Sequence, residues 1–290
     1  MRVVTTHRRW IDRWSLFLLL LVCGLLTFVV FSHFRPMLSR SVDMPARIGL
    51  TAVFLAVTLY ARSRDSLRQY WRVAMAFFAA SVAMSLDLYL PFSRWILAFL
   101  NLDLNSPAGR AIDKLESTVL IVAMIILLTR AFGDDLASMY LRRGNIRRGL
   151  AIGLATFFLF MAASLPMSEW VFGGRDLSFG RVLPWIPWVL IFVLGNAFSE
   201  ELLFRGLFLR KLEPMLGVFA SNLLMAIVFT LMHTGVEYTS DALLFLAILL
   251  PLALAWGSIM QKTDSLWGSV LFHAGTDIPV IIGILSAMAS

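Results

Sequence analysis

Glu200, Glu201, His233, His273 and Asp277 stand inside otherwise apolar runs of this 290-residue chain. An ionisable side chain at the centre of a membrane helix costs roughly 2.5 kcal/mol or more, so five of them in nearby segments point to chemistry. Carboxylates and imidazoles together can take a proton from water and steady the charge that develops when that water attacks. Arg205 follows Glu201 by one helical turn, acid before base, the favourable order for an i,i+4 pair. Such a pair neutralises Glu201 and leaves Glu200, about 100° around the helix, free to face a cavity. Without the arginine, two adjacent carboxylates in a low dielectric would repel. In the next apolar run Phe229 precedes His233 by one turn, so the ring can buttress the imidazole. In the last run His273 and Asp277 have the same spacing, with Ala274 and Gly275 leaving room for something to approach. Each pattern alone also has an ordinary reading: a solvated helix end near Arg205, Arg210 and Lys211, an interfacial His233, a local bond tying down His273. Their conjunction is what argues for a site.

The elements that must position these groups are membrane spans. The chain is 59% hydrophobic and 15% charged, with a mean hydropathy of +0.81. A soluble domain needs a more polar exterior. The fold expected is all-α, a polytopic membrane helix bundle. At about 20 residues per span, apolar runs fall at 14–34, 47–61, 72–90, 116–132, 149–171, 184–209, 217–234, 242–260 and 266–288. That gives nine spans, with eight as the alternative. Ser93–Leu100 is too short to cross and is expected to lie in the interface. The basic loop Arg142–Arg148 divides an N-terminal four-helix region, 1–148, from a C-terminal region, 149–290.

The net charge of +7 would suggest nucleic acid in a soluble protein. Here the cations sit in short stretches between apolar runs, so membrane topology accounts for them and no nucleic-acid partner is expected. With the N-terminus in the cytoplasm, 17 of the 25 basic residues fall on the inside, and Trp10, Trp14, Trp71, Trp95, Trp170, Trp185, Trp188 and Trp267 lie near span ends as interfacial anchors. The first apolar run has a long core and is followed by Phe34-Arg35-Pro36 instead of a small-residue cleavage site, so it is expected to stay as a span. The single cysteine, Cys23, allows neither an internal disulfide nor a cysteine metal site. Gly149 and Gly153 signal close helix packing. His33, Asp87, Glu169 and Glu237 lie at segment edges and are given no chemistry, though Asp87 could pair with Arg94. There is no HExxH, GxGD, phosphate-binding loop or Gly-x-Ser-x-Gly elbow.

Three motifs, Glu200-Glu201-Leu-Leu-Phe-Arg205, Phe229-Thr-Leu-Met-His233 and His273-Ala-Gly-Thr-Asp277, resemble in order and spacing those of the CaaX-protease and bacteriocin-processing (CPBP, or abortive-infection) family of intramembrane proteases, related to the type II CaaX prenyl endopeptidase. The resemblance covers roughly residues 149–288. It implies an intramembrane endopeptidase acting on a membrane-associated or lipidated peptide or protein, with Glu200, Glu201, His233, His273 and Asp277 as catalytic residues and Arg205 and Phe229 in support. Glu200, assisted by His233, would activate a water; His273, with Asp277 nearby, would stabilise the oxyanion. Many relatives carry Asn where this chain has Asp277, and an ionised Asp accepts hydrogen bonds but donates none. Two versions stay open: a glutamate-activated water with no cofactor, or Zn²⁺ held by Glu200, His233 and His273. A non-catalytic scaffold or immunity protein and a proton-coupled transporter are the rival functions. Compact loops and 22 Arg against 3 Lys suggest a multi-pass protein of the bacterial inner membrane.

One geometric condition follows. At 1.5 Å per residue, straight spans would place Glu200, His233 and His273 at depths of about 18, 26 and 10 Å. Convergence therefore requires tilt, an early end to the helix bearing Glu200, or a start within the membrane near Ser221-Asn222 for the helix bearing His233.

Overall fold

The computed structural model describes residues 3–288 except 33, 35, 36, 91, 237 and 240. His33, Arg35, Pro36 and Glu237 are thus outside the described residues. The chain is a helical bundle: α1 Val3–Gly24, α2 Arg40–Ser63, α3 Trp71–Tyr89, α4 Phe92–Leu100, α5 Pro107–Ala131, α6 Ile146–Ala162, α7 Ser164–Phe172, α8 Phe179–Val182, α9 Ile186–Glu200, α10 Leu209–Leu216, α11 Val218–Met232, α12 Ala242–Thr263 and α13 Trp267–Met288. Among the described residues there is no strand.

Of the expected nine spans, with eight as the alternative, the structure supports the lower figure at most. Among the described residues seven helical stretches are long and apolar enough to cross a membrane, or eight if one bent pair counts as a span. Two features account for the difference. Run 116–132 is the latter part of α5, whose first turns carry Arg110, Asp113, Lys114 and Glu116, too many charges for an apolar span. Run 149–171 breaks into α6 and α7 with a 68° bend. Pro166 supplies the cause, since it has no N–H to give and its ring collides with the carbonyl one turn back. The short second run borrows flanking residues, as α2 starts at Arg40 and accommodates Pro45 near its beginning. Ser93–Leu100 falls within the separate nine-residue α4.

Helix starts follow local chemistry. Ser106 caps α5 by accepting the Gly109 N–H at 3.0 Å, with Pro107 at the first helical position. Asp241 caps α12 through the Leu244 N–H at 2.9 Å. Two helices run on into π-helical turns, α1 at Leu25–Val30 and α9 at Glu201–Gly206. The second turn ends α9 at Glu200. The chain keeps a helical path through this turn, within the single stretch Phe179–Leu216. Arginine-bearing loops expected to share one side of the membrane do meet at one end of the bundle. There Arg72 pairs with Asp134 at 3.0 Å, Arg210 with Asp264, and the Ser265 hydroxyl donates to the Arg142 carbonyl at 3.1 Å.

At the centre α13 packs against α6, α9, α7 and α12. Its closeness to α6 rests on glycines: a Cβ on Gly268 would lie 2.7 Å from the Gly149 carbonyl oxygen, and one on Gly275 would lie 2.6 Å from the Phe157 Cα. The space at Gly275 is therefore filled by the α6 backbone and is not open to a ligand. This crossing fixes the rotation of α13, and with it the direction of His273. Gly275→Val is expected to destabilise the bundle by about 1–3 kcal/mol through overpacking, read as a lowered melting temperature in detergent; an unchanged melt would show that the crossing is looser than described.

Candidate active site

The π-helical turn puts Glu201 and Arg205 on one inward face, both completely buried. Arg205 Nη1 donates to Glu201 Oε1 at 2.8 Å, and its Nη2 reaches the Ala253 carbonyl at 3.4 Å. The guanidinium lies 4.4 Å from the Phe229 ring centre and 5.2 Å from that of Trp256. Such a planar, weakly hydrated cation stacked on aromatic faces is suited to burial in a way lysine is not. Glu201 spends its remaining acceptor capacity on two groups of α13: His273 Nδ1 at 2.9 Å and the Ser269 hydroxyl.

The bond to Glu201 determines what His273 can do. A carboxylate only accepts, so Nδ1 carries the proton and Nε2 turns toward the cavity. There it sits 3.6 Å from Glu200 Oε2 and 3.5 Å from Asp277 Oδ1. A proton held at Nε2, shared with one of these acids, makes both approaches attractive. The imidazole is clamped flat against Trp256, with ring centres 3.9 Å apart and planes 8° from parallel, and meets the Phe229 ring edge-on at 5.8 Å.

His233 follows the end of α11. Its Nδ1 lies 2.8 Å from the Phe229 carbonyl, which again fixes the proton on Nδ1 and leaves Nε2 with a free lone pair. Phe229 therefore acts twice, through its carbonyl on His233 and through its ring on His233, His273 and Arg205.

Glu200, His233, His273 and Asp277 line one cavity of about 390 Å³. Glu200 and Asp277 keep 16% of their side-chain surface exposed, whereas His273 keeps 3% and Glu201 none. Two adjacent glutamates thus divide into a buried one that holds the architecture and a cavity-facing one that can react. The expectation that Arg205 would neutralise Glu201 and release Glu200 describes this arrangement. Glu201 does more than that expectation assigned, because it also orients His273.

Four further residues belong to the site. Asn196 Nδ2 donates to Asp277 Oδ2 at 2.9 Å and lines the cavity. Asn196 and Ser269 each stand one helical turn before a site residue, Glu200 and His273, so the i,i+4 spacing was the available signal. Trp256 gave none, lying in an apolar run. Tyr238, in the loop before α12, lines the cavity, and burial together with the Glu200 and Asp277 carboxylates pushes its hydroxyl well above the ordinary tyrosine range. It therefore stays protonated, a neutral donor. Asp87 and Arg94 line a second cavity.

Among the described residues no three His, Cys, Asp or Glu side chains are arranged to hold a metal ion.

Removing one partner of a buried ion pair leaves an uncompensated charge and costs about 3–5 kcal/mol. Glu201→Gln and Arg205→Met are each expected to destabilise by that order, with the double variant recovering part of the loss, in a double-mutant cycle of chemical denaturation. Strictly additive losses would mean the two groups do not act as a pair.

Comparison with known proteins agrees with the geometry. Residues 182–279 match the family model described as Type II CAAX prenyl endopeptidase Rce1-like. No curated protein and no solved structure matches the chain. The matched stretch runs from the end of α8 past Asp277, and includes all three motifs and the π-helical turn Glu201–Gly206. Over that stretch, about a third of its length, this polytopic membrane protein is similar to the Rce1-like type II CAAX prenyl endopeptidases.

Proposed function

We propose that the chain is a working intramembrane endopeptidase, hydrolysing a peptide bond of a membrane-associated or lipidated peptide with a water activated by Glu200. The observation that carries this reading is the division of labour between the paired glutamates: Glu201 is consumed by Arg205, His273 and Ser269, while Glu200 faces a cavity with two imidazoles.

A water held between Glu200 and the free Nε2 of His233 loses a proton to Glu200 as its oxygen bonds to the scissile carbonyl carbon. The carbonyl oxygen becomes an oxyanion. Asp277 cannot donate to it; its Oδ2 accepts from Asn196. Asn196 has a second N–H, and together with the proton on His273 Nε2 it supplies the donors an oxyanion requires. Asp277 then positions those donors. Collapse of the tetrahedral species breaks the C–N bond, and Glu200 returns its proton to the leaving amine. Atoms and charge balance with no further reactant.

The apolar cavity walls, which include Phe172, Phe245, Leu249 and Leu252, suit a hydrophobic or lipid-modified segment. We place the arginine-rich end of the bundle in the cytoplasm of a bacterium by the charge asymmetry of its loops, and assign the bilayer and a membrane-associated peptide as the partners. No step is routed through a metal.

Glu200→Gln is expected to abolish cleavage of a lipidated peptide by the purified chain while leaving its melting temperature near the parent's. Asn196→Ala is expected to lower kcat by about 10²–10³-fold, the usual loss for one oxyanion donor, with a much smaller change in KM. Activity is expected to survive a membrane-permeant chelator. Full activity in Glu200→Gln would refute the assignment of the base; loss on chelation with recovery on adding zinc would refute the metal-free route.

A further inference from the structure

The helix too charged to count as a span, α5, lies outside the family match and faces the active site. Its Arg110, Asp113 and Lys114 line the catalytic cavity. They also line a neighbouring cavity of about 500 Å³. Glu200 and Phe34 border both as well. The reactive carboxylate therefore stands at the boundary between two chambers. One is walled largely by apolar side chains; the other adds Asp87, Arg94 and Glu116 to its lining, all from the N-terminal helices.

This second chamber leaves polar atoms waiting. Arg110 Nε and Glu116 Oε1 are both buried without a hydrogen-bond partner, a costly state unless something else occupies the space. Arg110 Nη2 donates to Asn105 Oδ1 at 3.1 Å and weakly to Met288 Sδ at 3.9 Å, and Lys114 lies 5.6 Å from the Phe192 ring centre, on the side of the catalytic cavity. Among the described residues no carboxylate comes within ion-pairing distance of either cation. The two are one helical turn apart on a single face. Glu116 faces the amide groups of Phe92 and Ser93 at the start of α4, with Asp87 and Asp113 as its charged neighbours. The acids thus gather toward α4, and the cations Arg110 and Lys114 stand at the boundary.

We propose that this chamber seats the hydrophilic end of the cleaved peptide, with Arg110 and Lys114 binding its terminal carboxylate and Glu116 accepting from its backbone N–H. A peptide end carries both an acceptor for the cations and donors for the acid, which a simple anion or cation does not. A chain crossing the boundary lays its apolar part in the catalytic cavity, its polar end among the α5 charges, and the bond between them against Glu200. The assignment rests on the endopeptidase reading for the direction of the peptide. It makes the N-terminal helices part of substrate selection.

The test uses the full chain in nanodiscs. The probe is a fluorescent tetrapeptide with a farnesylated N-terminal cysteine, made with either a free carboxylate or a carboxamide end. Binding is read by anisotropy in the Glu200→Gln background and cleavage in the parent. The carboxylate form is expected to bind about tenfold more tightly than the amide. That preference should vanish in Lys114→Gln and Arg110→Gln and persist in Lys114→Arg, which keeps the charge and controls for folding. Equal binding of the two forms, tighter binding of the amide, or no binding of either overturns the proposal. Carboxylate-dependent binding with no cleavage by the parent would sink the endopeptidase reading while leaving the chamber's assignment in place.

Discussion

The buried contact of Glu201 with Arg205 and His273 is the constraint on which the rest of the site depends. An arginine fully removed from water requires its counter-charge close by, and here that carboxylate is also the group that fixes the proton of His273. Three helices meet around this cluster: the π-helical extension of α9, α13 through His273 and Ser269 on the Glu201 carboxylate, and α12 through the Ala253 carbonyl that accepts from Arg205 and the Trp256 ring that stacks on His273. A π-helical turn suits the job. It ends α9 inside the bundle, and turns of this kind frequently mark functional sites. The same turn leaves Glu200 on the cavity side, so one local irregularity separates a buried acid from a cavity-facing one.

The aromatic shell makes this arrangement rigid. Phe229 and Trp256 pack on both Arg205 and His273, which holds the imidazole plane and excludes water from the ion pair. Exclusion of water strengthens each charge–charge contact within the cluster. Catalysis by prearranged charge needs such a setting, because groups that already point correctly do not reorganise during the reaction. The glycine-lined crossing of α6 with α13 contributes at one remove by setting the angle from which His273 enters.

Much of this was legible in the sequence, because intramembrane charge is rare and helical spacing fixes which side chains share a face. The pairing of Glu201 with Arg205, the freedom of Glu200 and the buttressing of His233 by Phe229 all follow from i,i+4 geometry. What was not legible depends on long-range packing. Trp256 is one apolar residue among many until α12 docks. Gly275 looked like room for something to approach, and what approaches there is the Phe157 backbone. The bend at Pro166 and the charged first turns of α5 reduced the number of apolar spans, since hydropathy alone shows neither how a helix breaks nor whether its charges face a cavity. Asn196 had the right spacing from Glu200, but only the position of Asp277 gives that spacing a purpose.

A single catalytic chamber in which Glu200 turns water into a nucleophile is the central claim, and isotope labelling tests it most directly. Purified chain would be incubated with a farnesylated peptide in water enriched in oxygen-18, and the products weighed by mass spectrometry. The account predicts two fragments from one internal peptide bond, the new carboxyl terminus carrying one heavy oxygen, and intact peptide when Glu200→Gln replaces the parent. Uncut peptide with the parent chain, or equal cleavage by both proteins, would contradict it.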